Sequence, residues 1–262
     1  MESVAGVIVA AGYGSFRRNE ESLFPKVLEP VRGEAMVTRV ATAVAKANLT
    51  PTVVVNPQSE GPIRANLEAS GFWKLSYVVQ PDRYGSADAV ARTVSLLQAL
   101  HVEHILVIYA DMPLWKSETI QQLIRLHCER SATITMVTVP LQRNSPPTFK
   151  SYGRILRDDS GAIRGVVEVA DATHEELSTS TSVNPSLWVW NLRWFADHVD
   201  GVPRRDKCDG HQPECHLPHL VRVAYDEGKT IGELPLADQN QALGVNTVEE
   251  FNMIQGMLIA GT

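Results

Sequence analysis

The stretch VIVAAGYGSFRRNEESLFPKV, residues Val7–Val27, decides the fold of this chain. It continues an apolar, mostly β-branched run that begins at Val4 and ends at Val9, which is typical of a strand covered on both faces of a parallel sheet. Small residues then predict a turn in which main-chain N–H groups lie open to a bound phosphate. These residues are Ala10, Ala11, Gly12 and Gly14.

Three cations come after this turn, namely Arg17, Arg18 and Lys26. Open α/β sheets bind ligands beyond the carboxyl ends of their strands, and such cations suit a triphosphate there. The loop is not a Walker A motif, since no Gly-Lys-Ser/Thr follows, and Arg17 replaces the third Gly of a dinucleotide fingerprint. Without the cations, a tight strand-to-helix turn would explain Gly12 and Gly14 equally well.

Composition limits the class of protein. A chain of 262 residues, 44% hydrophobic and 21% charged, is long enough for one large α/β domain or two small ones. The net charge of −6 argues against a general nucleic-acid binder. Three cysteines are too few for a disulfide framework, and the sequence contains no apolar run of membrane-spanning length and no signal peptide. We therefore expect a cytoplasmic protein with small-molecule substrates and no membrane or nucleic-acid partner; the oligomeric state stays open.

Strand-like and helix-like segments alternate in the first half, which predicts a Rossmann-like, doubly wound, mostly parallel α/β sheet. The expected strands are Val4–Val9, Thr52–Val55, Leu75–Val79, His104–Tyr109 and Thr133–Val139, and the expected helices are Ala35–Ala47, Ile63–Ser70, Ala87–Leu100 and Ser117–Glu129. After Pro146 longer strands are expected at Tyr152–Arg157, Ile163–Val169 and Ser182–Trp190, with a hairpin turn at 158–161. This mixed β part is expected to carry the second substrate.

Two oxygen-bearing residues are candidate magnesium ligands. Asp111 follows the apolar strand HILVIYA at its carboxyl end, where a single carboxylate facing a triphosphate suits Mg²⁺. The alternative role, a cap for the helix that starts near Ser117, is disfavoured because six residues separate the two. Asn246 precedes a helix that starts near Thr247, so its amide oxygen suits either a metal or an N-cap.

Taken in order, the motifs resemble those of sugar-1-phosphate nucleotidylyltransferases. The loop at 10–14, Arg17 and Pro25-Lys26 are similar to the opening AAG-x-G motif of that family, and Asp111 lies in its G/A-D-x-P-L context. The match of Gly244-Val245-Asn246 to the family's GVN segment implies that Asn246 is a metal ligand. The resemblance covers roughly residues 4–250 and implies Mg²⁺ as cofactor.

The resemblance also implies substrate-binding residues. The segment from Gln80 to Ala87 is similar to the family's Gln-x4-Gly-Thr/Ser element, so Gln80, Gly85 and Ser86 are expected at the nucleoside, with UTP favoured and dTTP open. The alternative is that Gln80 is a solvated surface residue and Ser86 a helix N-cap. A primary amide both donates and accepts, as the O4 and N3–H edge of uracil requires. Gly153, Glu168 and Asn184 resemble the sugar-binding residues of bacterial N-acetylglucosamine-1-phosphate uridyltransferases. That resemblance implies transfer of a uridylyl group to N-acetylglucosamine 1-phosphate.

One nucleotidyltransferase domain is expected over residues 1–262. It divides into a nucleotide-binding half (1–140), a sugar-binding half (141–235) and a returning C-terminal helix (236–262), and we expect no left-handed β-helix acetyltransferase domain.

Several departures from the pattern keep alternatives open. Phe16 stands where the family has its catalytic Arg, so either Arg17 or Arg18 would take that role after a local shift. Ala170 and Pro185-Ser186 replace family residues on the sugar side, which leaves the sugar undecided. A cytidylyl- or guanylyltransferase with another phosphate acceptor, and a nucleotide-sugar-binding protein without turnover, are the alternatives.

A cysteine- and histidine-rich segment matches no family motif. Its Cys-x2-His-x3-Cys-x3-His pattern has the ligand complement of a structural zinc site, but its spacing is not a standard one. We therefore predict a loop without stoichiometric zinc. The residues concerned are Cys208, His211, Cys215 and His219.

Overall fold

The computed structural model describes residues 2–12, 24–204 and 213–260. Its strands are β1 (Val4–Val9), β2 (Pro30–Val31), β3 (Glu34–Ala35), β4 (Pro51–Val55), β5 (Ser76–Val79), β6 (His104–Tyr109), β7 (Ile134–Pro140), β8 (Arg154–Arg157), β9 (Ile163–Val167), β10 (Ser182–Val183), β11 (Trp188–Asn191) and β12 (Ile231–Pro235). Its α-helices are α1 (Met36–Lys46), α2 (Glu60–Ala69), α3 (Ser86–Ala91), α4 (Val94–Ala99), α5 (Ser117–Glu129), α6 (His174–Thr179), α7 (Leu192–His198), α8 (His219–Asp226) and α9 (Val248–Ala260).

Within the described residues, ten strands form one mixed sheet in the order β5-β4-β1-β6-β11-β7-β10-β8-β9, with β12 also paired to β7. The strands β5, β4, β1 and β6 are parallel, whereas β11 runs antiparallel to both of its neighbours. Helices cover both faces of the sheet. Since successive side chains of a strand point to opposite faces, one strand contributes to the core on each side. Val7 and Ile8 accordingly belong to two separate apolar cores. The predicted doubly wound α/β fold is confirmed.

The sheet forks next to the site. Strands β10 and β11 pair with successive parts of β7, and the ladder is interrupted between them, where Asn184 N–H donates to the Gly153 carbonyl oxygen and the Leu187 carbonyl oxygen accepts from Val137 N–H. On the far side of this break β11 pairs with β6, whereas β10 pairs with β8. The prediction of one long strand over Ser182–Trp190 is therefore wrong. The strand is interrupted at Asn184 because its side-chain oxygen accepts hydrogen bonds from the main-chain N–H of Ser186 and from the indole N–H of Trp188.

The other boundary differences have local causes. The helix predicted at Ala87–Leu100 is two helices, α3 and α4, because the Thr93 hydroxyl donates to the Val90 carbonyl oxygen at 2.7 Å at the break. Helix α2 begins at Glu60 rather than Ile63, since Pro62 is tolerated in a first turn.

The hairpin predicted at 158–161 is confirmed between β8 and β9. The Asp158 carboxylate accepts from the main-chain N–H groups of Ser160 and Ala162 at 2.9 and 3.0 Å, and Gly161 has φ +85°. Among the described helices, none is both long enough and apolar enough to cross a bilayer.

Candidate active site

The phosphate end of the site is the loop that follows β1. Ala10 and Ala11 are buried, an added Cβ at Gly12 would meet no atom of the described residues within 4 Å, and all three residues line the cleft. Asn56, which follows β4, donates from its amide to the carbonyl oxygens of Ala11 and Gly12 at 3.2 and 3.3 Å. Sequence reasoning missed Asn56, although an Asn directly after a buried strand is a usable signal. Three expected site residues of this loop lie outside the described residues: Gly14, Arg17 and Arg18.

Lys26, Asp111 and Asn246 meet at the centre of the site. The Lys26 ammonium donates to Asp111 Oδ2 at 2.7 Å and to Asn246 Oδ1 at 3.0 Å. All three lie in turns or loops. Lys26 opens a 3₁₀ turn over Lys26–Leu28, Asp111 follows β6, and Asn246 precedes α9. A further main-chain bond, from Val245 N–H to the Asp111 carbonyl oxygen at 2.9 Å, fixes Asn246 beside Asp111.

Neither Asp111 nor Asn246 caps a helix with its side chain. Thr247 and Glu250 form a reciprocal pair at the start of α9, in which each main-chain N–H donates to the other side chain at 3.1 Å. This is a capping box, and it leaves the Asn246 side chain for Lys26. Asp111 is equally clear of α5, whose N-cap residue is Lys116.

The nucleoside end is built around Gln80. Its side-chain amide donates to the Gly85 carbonyl oxygen at 2.9 Å and to Asp88 Oδ2 at 2.8 Å. Because both partners are acceptors only, the NH₂ group must face them. Gln80 is 4% exposed, so it is not the solvated surface residue that was the alternative. The amide was expected to act as both donor and acceptor toward the base. Its two N–H groups already donate to Gly85 and Asp88, so only its oxygen is left for a ligand.

Ser86 and Tyr109 close the inner wall of the same cleft. The Ser86 hydroxyl accepts from Leu217 N–H at 3.1 Å, and Gly85, not Ser86, is the N-cap residue of α3. Burial raises the pKa of the Tyr109 phenol, despite its hydrogen bond with Ser86. The phenol therefore stays protonated at neutral pH.

A second, smaller cavity of about 190 Å³ contains the residues expected at the sugar. Gly153, Glu168 and Asn184 all line it. A Cβ at Gly153 would lie 3.3 Å from Glu168 Oε1, so a larger residue there would crowd the carboxylate. Asn184 is 4% exposed; its amide oxygen accepts two hydrogen bonds, and its NH₂ group donates one N–H to the Ser186 hydroxyl at 3.3 Å, which leaves its second N–H.

Tyr152 connects this cavity to Asn246. Its hydroxyl donates to the Ala242 carbonyl oxygen at 2.8 Å and accepts from Gly244 N–H at 3.0 Å, two residues before Asn246. Burial raises the pKa of this phenol as well. Arg154 supports the turn that carries Tyr152, through hydrogen bonds to the carbonyl oxygens of Phe149, Lys150 and Tyr152.

The cysteine- and histidine-rich segment is described only in part. Cys208 and His211 lie outside the described residues. The Cys215 thiol is buried, which raises its pKa, and it donates to the Tyr84 carbonyl oxygen at 3.0 Å. His219 is the first residue of α8. Among residues whose positions are described, no group of three or more His, Cys, Asp or Glu could hold a metal.

The two cavities meet at Asp111 and Tyr109, which line both. The larger one, about 380 Å³, runs from the loop after β1 and Lys26 to Gln80, Gly85 and Ser86. Residues 6–175 match the family model of the MobA-like NTP transferase domain. The chain belongs to that family. The predicted resemblance to nucleotidyltransferases is therefore confirmed at the level of the family.

Relatives of known name point the same way. The bifunctional protein GlmU of Syntrophotalea carbinolica is 30% identical over 245 residues, which is 94% of this chain and 49% of that protein. GlmU of Bacillus subtilis is 30% identical over 246 residues, covering 94% and 50%. The chain thus spans about half the length of these relatives.

Solved structures share the fold of this family member at low sequence identity. A putative glucose-1-phosphate thymidylyltransferase from Bacillus anthracis superimposes with a TM-score of 0.73 at 12% identity, over 97% of this chain and 95% of that one. A CMP:2-keto-3-deoxy-manno-octonic acid synthetase, complexed with CTP, gives 0.67 at 12% identity over the full length of both chains.

Proposed function

We propose that this protein joins a nucleoside triphosphate to a sugar 1-phosphate and releases pyrophosphate, with UTP and N-acetylglucosamine 1-phosphate as the favoured pair. The single observation that carries the proposal is that two cavities of different size meet at Asp111. A reaction between two phosphates needs both substrates to reach one charged centre from different sides. The resemblance of Gln80, Gly85 and Ser86 to the family's nucleoside-binding element, and of Gly153, Glu168 and Asn184 to the sugar-binding residues of N-acetylglucosamine-1-phosphate uridyltransferases, is the ground for choosing this pair.

In the proposed reaction, a phosphate oxygen of the sugar 1-phosphate attacks the α-phosphorus in line, and the bond to pyrophosphate breaks. No protein nucleophile is required, so positioning and charge compensation supply the catalysis. The main chain of Ala11 and Gly12 holds the phosphates, and Lys26 balances their charge. Arg17 and Arg18 are proposed to contribute further positive charge.

The Asp111 and Asn246 oxygens fit Mg²⁺, because they already hold one cation, the Lys26 ammonium, between a carboxylate and an amide oxygen. When bound, the metal would neutralise phosphate charge. We propose Mg²⁺ as the cofactor on this ground.

Gln80 supports UTP or dTTP as the nucleotide. With its NH₂ group turned to Gly85 and Asp88, the amide presents an acceptor, which pairs with the N3–H of uracil or thymine. On the acceptor side, Glu168 and the NH₂ group of Asn184 are proposed to bind sugar hydroxyls, with Gly153 leaving room for the acetamido group. The cytoplasm is the proposed location.

A substrate matrix tests the proposal. Four nucleoside triphosphates are combined with several sugar 1-phosphates, and pyrophosphate release is measured with and without Mg²⁺. UTP with N-acetylglucosamine 1-phosphate should give the highest kcat/KM, and Asp111→Asn should lower turnover about 100-fold or more at unchanged melting temperature. Turnover only with CTP or GTP would support the related transferases, and tight binding of UDP-sugar without any turnover would support the non-catalytic alternative.

A further inference from the structure

The residues Glu214–Leu217, called here the 214–217 strap, lie against the turn that precedes α3. Cys215 N–H donates to the Tyr84 carbonyl oxygen at 2.9 Å, and the Cys215 carbonyl oxygen accepts from Ala87 N–H at 3.0 Å. Leu217 N–H donates to the Ser86 hydroxyl at 3.1 Å. The strap is therefore bonded along its length to the nucleoside end of the large cleft.

Its side chains alternate between the core and the cleft. Cys215 and Leu217 are 7% and 0% exposed and belong to one of the apolar cores. Glu214 and His216 lie on the opposite side, and both line the large cleft. Glu214 Oε2 is 3.6 Å from His216 Nε2, and the Glu214 side chain is only 12% exposed. The sequence of the strap thus places a carboxylate in the wall of the cleft.

A carboxylate in a triphosphate cleft is repelled by the phosphates unless a cation lies between them, as Lys26 does beside Asp111. The phosphate end is at Gly12 and Lys26, whereas the strap contacts Tyr84, Ser86 and Ala87 at the other end. Glu214 therefore faces the nucleoside. There it can accept hydrogen bonds from neutral O–H or N–H donors.

In the proposed function, the N3–H of the base pairs with the side-chain oxygen of Gln80, because the NH₂ group of Gln80 donates to Gly85 and Asp88. The donors that remain on a nucleoside are the ribose hydroxyls. A carboxylate suits a vicinal pair of hydroxyls, as acidic residues do at the ribose of dinucleotide sites. We propose that Glu214 binds the ribose 2′- and 3′-hydroxyls and makes the site selective for ribonucleotides over 2′-deoxyribonucleotides. The inference rests on the proposed function and narrows its nucleotide from UTP or dTTP to UTP.

Calorimetric binding of UTP and dUTP tests the assignment in the presence of Mg²⁺ and without acceptor. The wild-type protein should bind UTP about ten-fold or more tightly than dUTP, since a site built to bind a hydroxyl rejects the analogue that lacks it. Glu214→Ala should remove that preference by weakening UTP alone, and Glu214→Asp should restore part of it. Glu129→Ala, an exposed acid at the end of α5, is the matched control and should change neither affinity.

The outcomes separate the two proposals. Equal affinity of the wild-type protein for UTP and dUTP overturns the role of Glu214 but leaves a uridylyl transfer intact. Equal weakening or equal strengthening of both nucleotides by Glu214→Ala also overturns it, since that would mean a general effect of charge or folding. Failure of both nucleotides to bind to the wild-type protein would instead refute the choice of UTP in the proposed function.

Discussion

At the scale of single residues, Lys26 occupies the position proposed for the divalent cation. Its ammonium lies 2.7 Å from Asp111 Oδ2 and 3.0 Å from Asn246 Oδ1, with the Lys26 side chain 16% exposed. Two positive charges cannot share these oxygens at such distances without strong repulsion. If the proposed metal binds these oxygens, we expect it to displace the Lys26 ammonium, which would then pair with phosphate oxygens.

This competition predicts that Lys26→Met binds metal more tightly than the wild type when no nucleotide is present. We expect the affinity for Mn²⁺, measured by titration with detection of the free ion, to rise about ten-fold, because the competing charge is gone. Lys116→Met is the control, since Lys116 pairs with Asp238 at 2.8 Å on the surface. Unchanged Mn²⁺ affinity in Lys26→Met would mean that the ammonium does not compete.

His127 makes the stability of the fold depend on pH. It is fully buried between His104 Nδ1 at 3.0 Å and the Thr135 hydroxyl at 2.9 Å, and burial lowers its pKa from 6.5 to about 4. The unfolded chain therefore binds a proton between these pH values while the folded chain does not. We expect the free energy of unfolding to fall as the pH drops from about 6.5 toward 4.

The contribution of His127 is isolated by His127→Gln. Urea unfolding between pH 7 and 4.5 should show a shallower pH dependence for this variant than for the wild type. Its stability at pH 7 should also be lower, because an optimised buried contact is changed. Parallel curves for the two proteins would assign the pH dependence to other groups, of which the neighbouring His104 and Glu2 come first.

At the scale of elements, the bounds of strands and helices could be predicted from the sequence where a single residue pattern dominates. Buried runs without polar interruption gave the bounds of β1 and β6, and the amphipathic pattern gave those of α5. The pattern failed where a polar side chain bonds its own main chain, at Thr93 between α3 and α4 and at Asn184 between β10 and β11. A hydrogen bond of that kind leaves hydrophobic periodicity unchanged, so periodicity cannot reveal it.

The turn before α3 gives a test at this scale. Gly85 has φ +89°, and a Cβ there would lie 2.7 Å from the Cys215 main-chain nitrogen. We expect Gly85→Ala to lower the melting temperature and to weaken nucleotide binding, since the strap must move. Gly71→Ala is the control, because Gly71 has φ +92° but an added Cβ would meet nothing within 4 Å. Gly71→Ala should lower the free energy of unfolding by only about 1 kcal/mol, through backbone strain. Equal losses of stability and of nucleotide affinity in the two variants would exclude a role for the strap contact.

At the scale of the whole molecule, the centre of the site joins distant parts of the chain. Lys26 and Asp111 are 85 residues apart in sequence, and Lys26 and Asn246 are 220 apart. The order of strands in the sheet brings them together, and motif order predicted their shared location. The supporting contacts were harder to predict. The Asn56 amide and the Tyr152 hydroxyl bind main-chain atoms of distant segments, and the 214–217 strap bonds largely through its own main chain, so side-chain patterns do not reveal these partners.

The returning helix α9 gives a prediction at this scale. The Gln255 side chain accepts from Arg32 N–H and donates to the Pro30 carbonyl oxygen, both at 2.9 Å, and so ties the end of the chain to the hairpin that follows Lys26. Gln255→Ala should weaken triphosphate binding several-fold with little loss of stability, since an exposed hydrogen bond contributes about 1 kcal/mol. Gln121→Ala, which removes an exposed bond to the Lys46 carbonyl oxygen, serves as the control. A change in melting temperature without a change in affinity would contradict the coupling.

The fork of the sheet at Asn184 has a consequence for engineering. Beyond the fork, β10, β8 and β9 form a branch that is joined to the rest of the sheet through β7, while β11 and β6 keep the other branch continuous. Two of the acceptor-side residues, Gly153 and Glu168, belong to the first branch, and Lys26 and Gln80 lie outside it. A graft that exchanges the chain between β7 and β11 for the matching piece of a relative is thus expected to change the proposed acceptor site and to leave Lys26 and Gln80 in place, provided that the graft keeps Tyr152, whose hydroxyl accepts from Gly244 N–H beside Asn246.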